Sequence, residues 1–416
     1  MTSTLEPRVA ATSTRLPAAP AYGARGRVTR EVVRRILRNL PVTARLATGE
    51  VLGAPVSDAR PTLHVHDPEA FFARLSHSPM IGIGESYMAR EWSAAPGTDL
   101  ADALAPFAEN LTSLIKPVFY KLRHTVLPRG LNPANTKAGA RRNIEAHYDL
   151  SNDMFEQFLD PSMSYSSALF ETLDPAPRLA DLETAQLRKV DAILDSAGVG
   201  AGSRVLEIGT GWGTLAIRAA ERGAVVTTVT LSTEQAVLAR RRVEQAGLAD
   251  RVEVAVRDYR DQTGEFDAVV SVEMIEAVGE EYWPTYFSAI DTLLAEGGRA
   301  VIQAILIADH RLVATRHTYT WIHKYIFPGG MLPSTDAIAR VLHRHTTLHV
   351  STIRPMGCHY AHTLRLWRER FVGNWREVAG LGFDDRFFRM WEFYLAYCEA
   401  GFRTRYLDVA QIRIER

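Results

Sequence analysis

Apolar residues recur along this chain in two registers. In the second half, short apolar runs at 204–208, 225–231, 252–256, 268–272 and 300–304 alternate with longer amphipathic stretches such as 233–246. Strand-length runs separated by helix-length amphipathic ones predict βαβ units, and hence an α/β doubly wound sheet with its ligand at the carboxyl ends of the strands. The first half is more mixed. Val32, Val33, Ile36, Leu37 and Leu40 fall at helical spacing, residues 62–65 read as a strand, and Ile81-Gly82-Ile83-Gly84-Glu85-Ser86-Tyr87-Met88 shows no nucleophile-plus-base or metal pattern. Near the C-terminus, residues 387–402 place Phe388, Trp391, Tyr394, Leu395 and Cys398 at helical spacing and predict a core helix.

A chain of 416 residues is too long for one core. The pattern divides it into a disordered leader over 1–29, rich in Ala, Thr, Pro and Arg, a small α/β accessory domain over 30–126, a basic linker over 127–142, and a larger α/β domain over 143–416. Lys plus Arg and Asp plus Glu both number 48, so no global field draws the chain to nucleic acid. Charge is nevertheless clustered locally. Lys116, Lys121, Arg123, Arg129, Lys137, Arg141 and Arg142 occur with no acid between them and with Phe119, Tyr120, Leu122, Val126 and Leu127 interleaved. That run reads either as a solvated linker or as a surface that meets anionic lipid headgroups. Cys358 and Cys398 give neither a disulfide framework nor metal-ligand spacing, which fits a reducing cytoplasm, and no metal is expected. No run approaches the roughly 18 apolar residues of a membrane span, so any membrane contact is peripheral.

Candidate chemistry begins at Val205-Leu206-Glu207-Ile208-Gly209-Thr210-Gly211-Trp212-Gly213. Glycines at a strand-to-helix turn let a ligand approach the backbone, and Glu207 at the strand's end can take an ammonium group where a phosphate cradle would place no acid. The stretch resembles the first strand and glycine turn of a class I S-adenosylmethionine (SAM) methyltransferase. A nicotinamide-dependent oxidoreductase would want the longer G-x-G-x-x-G spacing and an acid about twenty residues on, and the chain offers neither cleanly.

Five further segments occur in order: His147-Tyr148-Asp149-Leu150-Ser151-Asn152-Asp153, Ser164-Tyr165-Ser166-Ser167-Ala168, Val229-Thr230-Leu231-Ser232-Thr233-Glu234-Gln235, Met274-Ile275-Glu276-Ala277-Val278-Gly279 and Lys324-Tyr325-Ile326-Phe327-Pro328-Gly329-Gly330. Together they resemble the cyclopropane-fatty-acyl-phospholipid synthases, SAM-dependent enzymes that methylate the double bond of an unsaturated acyl chain. The resemblance implies that Tyr165 and Ser166 close over the methionine part of the cofactor. Gly209 and Gly211, with Gly213, would contact the cofactor, Thr230, Leu231 and Gln235 would reach its sugar or adenosine portion, and Asp258 and Tyr259 would lie at the adenine. It also implies a bound bicarbonate as the base that removes a proton from the carbocation, with Glu276 and Tyr360 matching side-chain holders and Ser167 and Ile305 matching backbone contacts.

Two positions depart from that family: Ser167 stands where Cys is usual, and Gln303 where His is usual. Gln can hydrogen-bond an anion but cannot accept a proton. These departures raise the alternative of a lipid-binding protein that has lost catalysis, against which Glu207, Glu276 and Tyr360 argue. The combination Glu273-Met274-Ile275-Glu276-Ala277-Val278, Gln303-Ala304-Ile305 and Ala314-Thr315-Arg316-His317-Thr318-Tyr319-Thr320-Trp321 resembles a narrower branch. That branch converts oleoyl phospholipids to 10-methylene chains on the route to 10-methylstearate (tuberculostearate). The resemblance implies a cytoplasmic enzyme peripheral to the inner face of the membrane, a phospholipid substrate and an anionic membrane surface as partner. It also allows a separate reductase acting on the product, and a homodimer. The 387–402 helix could also wall an acyl tunnel.

Overall fold

The computed structural model describes residues 16–53, 60–114 and 151–416. The basic run at 116–142 and His147–Leu150 lie outside those residues, apart from which the five sequence motifs are described. The helix Ala24–Leu37 begins inside the stretch expected to be a leader, and the carbonyl of Pro17 accepts a hydrogen bond at 2.9 Å from the buried Arg74. The start of the described chain is therefore tied to the molecule, since Pro17 takes one N–H of a buried guanidinium whose charge Glu91 and Glu85 already pair.

The first sheet has the order β2-β1-β3-β4, with β1 Thr43–Leu46, β2 Val51–Gly53, β3 Thr62–Val65 and β4 Trp92–Ala94. The segment around Gly82 and Gly84 is a helix, Pro79–Met88, whose glycines permit close packing. A Cβ at Gly82 would fall 2.6 Å from the carbonyl oxygen of Arg74, and one at Gly84 would fall 2.4 Å from the Trp321 indole. One apolar cluster joins this sheet to the C-terminal helices Gly357–Gly373 and Asp385–Arg403, with Phe72, Trp92, Trp367 and Phe393 all buried. Burying side chains of this size contributes roughly 1.5–3 kcal/mol each.

The second sheet has seven strands: β5 Arg204–Ile208, β6 Val225–Thr230, β7 Val252–Val256, β8 Phe266–Val272, β9 Leu294–Ile307, β10 His349–Pro355 and β11 Leu407–Glu415, in the order β10-β11-β9-β8-β5-β6-β7. Strands β5 to β9 pair parallel, whereas β11 pairs antiparallel with β9 and β10. Alternation along the strands sends successive side chains into different layers. Leu206, Val269 and Ile302 join one core, while Val205, Val270 and Val301 join the other.

The helix Leu182–Ala197 buries Leu182, Ala185, Gln186, Lys189, Val190, Ile193, Leu194 and Ala197, the spacing of one helical face, and ends at Gly198 with φ +70°. Thr233–Gln245 starts where the Ser232 hydroxyl accepts from the Gln235 amide. The chain runs outward from β5 to β7 and then returns to place β8 on β5's other side. That reversal opens a crevice at the carboxyl ends of β5 and β8, where open α/β sheets take ligands.

Candidate active site

A cavity of about 200 Å³ lies at that reversal, lined by Glu207 at the end of β5 with Gly209 and Gly211 just beyond it, by Thr230 as the last residue of β6 with Leu231 beyond it, by Asp258 and Tyr259 after β7, and by Glu273 after β8. Tyr165, Ser166 and Gln235 line it as well. Gly209 and Gly211 have φ of +102° and +52°, a region that favours glycine, and a Cβ at Gly211 would meet no atom within 4 Å. Position 211 therefore presents bare backbone to open space.

Glu207 is buried, and Thr228 Oγ1 donates to its Oε2 at 2.6 Å while also bonding Thr210 Oγ1 at 2.7 Å. Burial pushes the Glu207 carboxyl up to about 8, against the lowering effects of the Thr228 bond and of Lys189. An acid in that state lacks a sufficient cation and is complementary to an ammonium entering the cavity. Lys189 is itself buried, which pulls it down to about 8 against Glu273, Asp160 and Glu207, and its Nζ donates to Ser166 Oγ at 2.6 Å.

Other expected cofactor residues are held in place by neighbours. Tyr165 OH lies 2.7 Å from Tyr394 OH, and Thr230 Oγ1 donates to Gln235 Oε1 at 3.0 Å while accepting from the Ser232 amide at 3.1 Å. Asp258 is gripped by Arg260 through Nε at 2.8 Å and Nη2 at 2.6 Å. Gly213 does not line the cavity. Its φ is +89°, and a Cβ there would sit 3.3 Å from Ala239 Cβ, so this glycine serves helix packing and the turn rather than ligand contact.

The greatest difference from expectation concerns the second acid. Glu276 and Tyr360 do not meet. Instead Tyr360 OH donates to Glu273 Oε2 at 2.8 Å, and the Ser167 amide and Gln303 Nε2 both donate to Glu273 Oε1 at 2.8 Å. Glu276 accepts from the Ile305 amide on β9. Burial raises Glu276 to about 8, helped by the negative charge of Glu273. Burial likewise raises Glu273, opposed by its donors and by Lys189. Burial and the Glu273 charge hold the Tyr360 hydroxyl well above its ordinary value, so it remains a donor. Gln303 is oriented by its cross-strand neighbour Gln411, whose Nε2 donates to Gln303 Oε1 at 3.2 Å.

Bicarbonate does not fit this arrangement. The Ser167 amide, the Gln303 amide and the Tyr360 hydroxyl all point at the Glu273 carboxylate, and the Ile305 amide points at Glu276. A further anion would face two carboxyl groups with its donors already engaged. Sequence reasoning placed Glu273 only in a branch-defining motif and missed Lys189 and Gln411. The available signal was an acid immediately after an apolar strand, three residues ahead of a second acid.

The model of the mycolic acid cyclopropane synthetase family matches residues 135–412. The chain is 50% identical over 401 residues, covering 95% of it and 93% of the relative, to the tuberculostearic acid methyltransferase UfaA1 of Mycobacterium tuberculosis. It is 34% identical to the cyclopropane-fatty-acyl-phospholipid synthase of Escherichia coli over 88% of this chain and 90% of that one. Among solved structures, the mycolic acid cyclopropane synthase CmaA1 complexed with SAH and CTAB superposes with a TM-score of 0.61 at 29% identity, over 66% of this chain and 98% of that one. The chain therefore belongs to the mycolic acid cyclopropane synthetase family, and is a SAM-dependent methyltransferase of fatty acyl chains.

Proposed function

We propose that this chain methylates the double bond of an oleoyl phospholipid and releases a 10-methylene acyl chain. The observation that carries the reading is one cavity bounded both by Glu207, suited to an ammonium, and by Glu273, a carboxylate braced by three donors. SAM, when bound, supplies an electrophilic sulfonium methyl. Glu207 takes its ammonium, Tyr165 and Ser166 close over the methionine portion, Gly209 and Gly211 admit it to the backbone, Thr230, Leu231 and Gln235 meet the sugar, and Asp258 and Tyr259 meet the adenine. Gly213 supports the turn.

The alkene's electron pair would form the new bond to the methyl carbon as the carbon–sulfur bond breaks and its electrons stay on the sulfur of the departing S-adenosylhomocysteine, leaving the neighbouring chain carbon cationic. A hydride shift from the methylated carbon moves the charge there, and loss of a proton from the added methyl gives the exocyclic alkene. If that proton leaves before the shift, a ring closes instead. The second reading, a cyclopropane product, is supported by the likeness to the Escherichia coli synthase. The 50% likeness to a tuberculostearic acid methyltransferase favours the first. A separate reductase would then saturate the product.

Incubating the purified protein with SAM and dioleoyl phospholipid tests the choice, because the two products have equal mass but different proton spectra. Vinylidene protons are expected, and upfield ring protons alone would replace the first reading by the second. No helix among the described residues is long and apolar enough to cross a membrane. The basic run at 116–142 supports encounter with anionic headgroups on the inner face of the membrane. Activity on oleoyl vesicles should then rise with anionic lipid content and fall with salt, which screens such charges over roughly 8 Å at physiological ionic strength. Equal rates on neutral and anionic vesicles at low salt would make the run a plain linker.

A further inference from the structure

Glu273 stands immediately after β8 with φ +50°, a backbone conformation rare for a residue with a side chain. Holding it there costs roughly 1–2 kcal/mol, which persists only when the surroundings fix the conformation. The fixing contacts come from far apart in sequence. The Glu273 amide donates to the Gln303 carbonyl at 2.7 Å, while the carboxylate takes the Ser167 amide, the Gln303 side chain and the Tyr360 hydroxyl. Three convergent donors of this kind form a cradle for an anion, and here a side chain of the protein fills it. Oε1 has two donors and Oε2 one, so Oε2 keeps lone-pair capacity, and Glu273 lines the same cavity as Glu207.

We propose that Glu273 is the proton acceptor of this enzyme, a built-in carboxylate standing in the anion cradle, so that turnover needs no bicarbonate. The inference rests on the methyl-transfer reading above. In the step concerned, a C–H bond of the transferred methyl breaks, its electron pair becomes the π bond to the cationic chain carbon, and the proton passes to a Glu273 oxygen. The neutral acid returns that proton to solvent before the next turnover. Lys189, Glu276 and Tyr360 are the charged or titratable groups that act on it, and Glu207 shares Lys189 with it. Lys189 favours the ionised acid, while Tyr360 donates to it.

The test compares wild type, Glu273→Gln and Glu273→Gly in buffer stripped of carbon dioxide, following lipid product and, separately, S-adenosylhomocysteine affinity by calorimetry. Wild type should keep its full rate without bicarbonate. Both variants should lose about a hundredfold or more in turnover, the usual contribution of a positioned base, with affinity changed less than about threefold. Glycine accepts the backbone conformation at 273 and empties the cradle, so added bicarbonate or formate should restore at least about tenfold to Glu273→Gly. Neither anion should rescue Glu273→Gln, whose amide still fills the space. A wild-type rate that collapses on bicarbonate removal and returns with it would overturn the proposal, as would wild-type turnover by Glu273→Gln. Absence of any modified lipid from wild type would instead bring down the methyl-transfer reading itself, and this inference with it.

Discussion

The two sides of the cavity are built by opposite strategies. The cofactor side is local: Glu207, Gly209 and Gly211 fall within five residues at the end of β5 and its turn, and Thr230 to Gln235 run from the end of β6 into the next helix. The acid on the other side, Glu273, is met by Ser167, Gln303 and Tyr360, with Gln411 behind them, so distant segments must fold together before the carboxylate has its donors. A contiguous turn can be recognised as a motif. A convergent cradle cannot, because its specificity resides in the distances that folding creates.

The largest effects should confirm that the cofactor side acts alone. Glu207→Ala should weaken SAM binding by at least about thirtyfold, since removing one partner of a buried charge pair costs about 2–5 kcal/mol. The fold should survive, because Thr228 and Thr210 retain their mutual hydrogen bond. Gly211→Val should lose binding as completely, since it puts a branched side chain at φ +52° into the open cavity. Calorimetry checks both, and wild-type affinity in folded Glu207→Ala protein would remove Glu207 from the site.

An effect of about tenfold concerns protons. Burial raises Glu207 to about 8 from a free value of 4.5. A carboxyl raised on folding stays protonated in the folded chain while the unfolded one ionises, so the ligand-free protein should lose stability as pH rises from 4.5 towards about 8. An entering ammonium restores the missing cation and expels that proton. SAM binding at pH 7 should therefore release about one proton, and affinity should rise up to about tenfold per pH unit below the raised value. Binding enthalpies measured in buffers of different ionisation enthalpy would reveal the proton, and Glu207→Gln should abolish it. An enthalpy independent of buffer would contradict the raised carboxyl.

Much of the fold was legible because strand-length apolar runs and amphipathic helices carry their own periods. Strands at 204–208 and 252–256 coincide with β5 and β7. Strands β10 and β11 escaped notice because they form an antiparallel flank, with β10 largely exposed and without a continuous apolar run. On the site, Ser167 and Ile305 do offer their backbone amides, but each meets a side-chain carboxylate. Position in a motif indicated that Glu276 and Tyr360 share a partner, whereas the turn after β8 presents Glu273 to Tyr360 instead. Gly213 shows the converse limit, since a glycine in a binding motif can be required by a neighbouring helix. Gly213→Ala should cost about 1–2 kcal/mol of stability through its positive φ, and SAM affinity of the folded variant should remain wild-type. A chemical melt paired with calorimetry separates the two, and lost affinity in a stable protein would return Gly213 to the binding site.

The smallest expected effect is the most selective probe of the convergent side. Gln411 touches neither the cavity nor Glu273, but its Nε2 donates to Gln303 Oε1 at 3.2 Å and to the Lys189 carbonyl at 3.1 Å. An amide has one donor end and one acceptor end, so a donor bound to the Gln303 oxygen turns the Gln303 nitrogen towards Glu273. Replacing Gln411 by Met keeps its length and removes that constraint. Gln303 can then rotate its oxygen towards the carboxylate, where two acceptors repel. A single hydrogen bond contributes about 0.5–1.5 kcal/mol, so kcat should fall between about twofold and tenfold. KM for SAM should change less than kcat, because Gln411 reaches the cofactor side only through the backbone carbonyl of Lys189. A structural disturbance spread through the sheet would move both parameters, whereas loss of orientation alone moves kcat. Gln411→Glu sharpens the distinction, since it removes the donor while placing another acid beside the cluster, and its kcat should fall further than that of Gln411→Met.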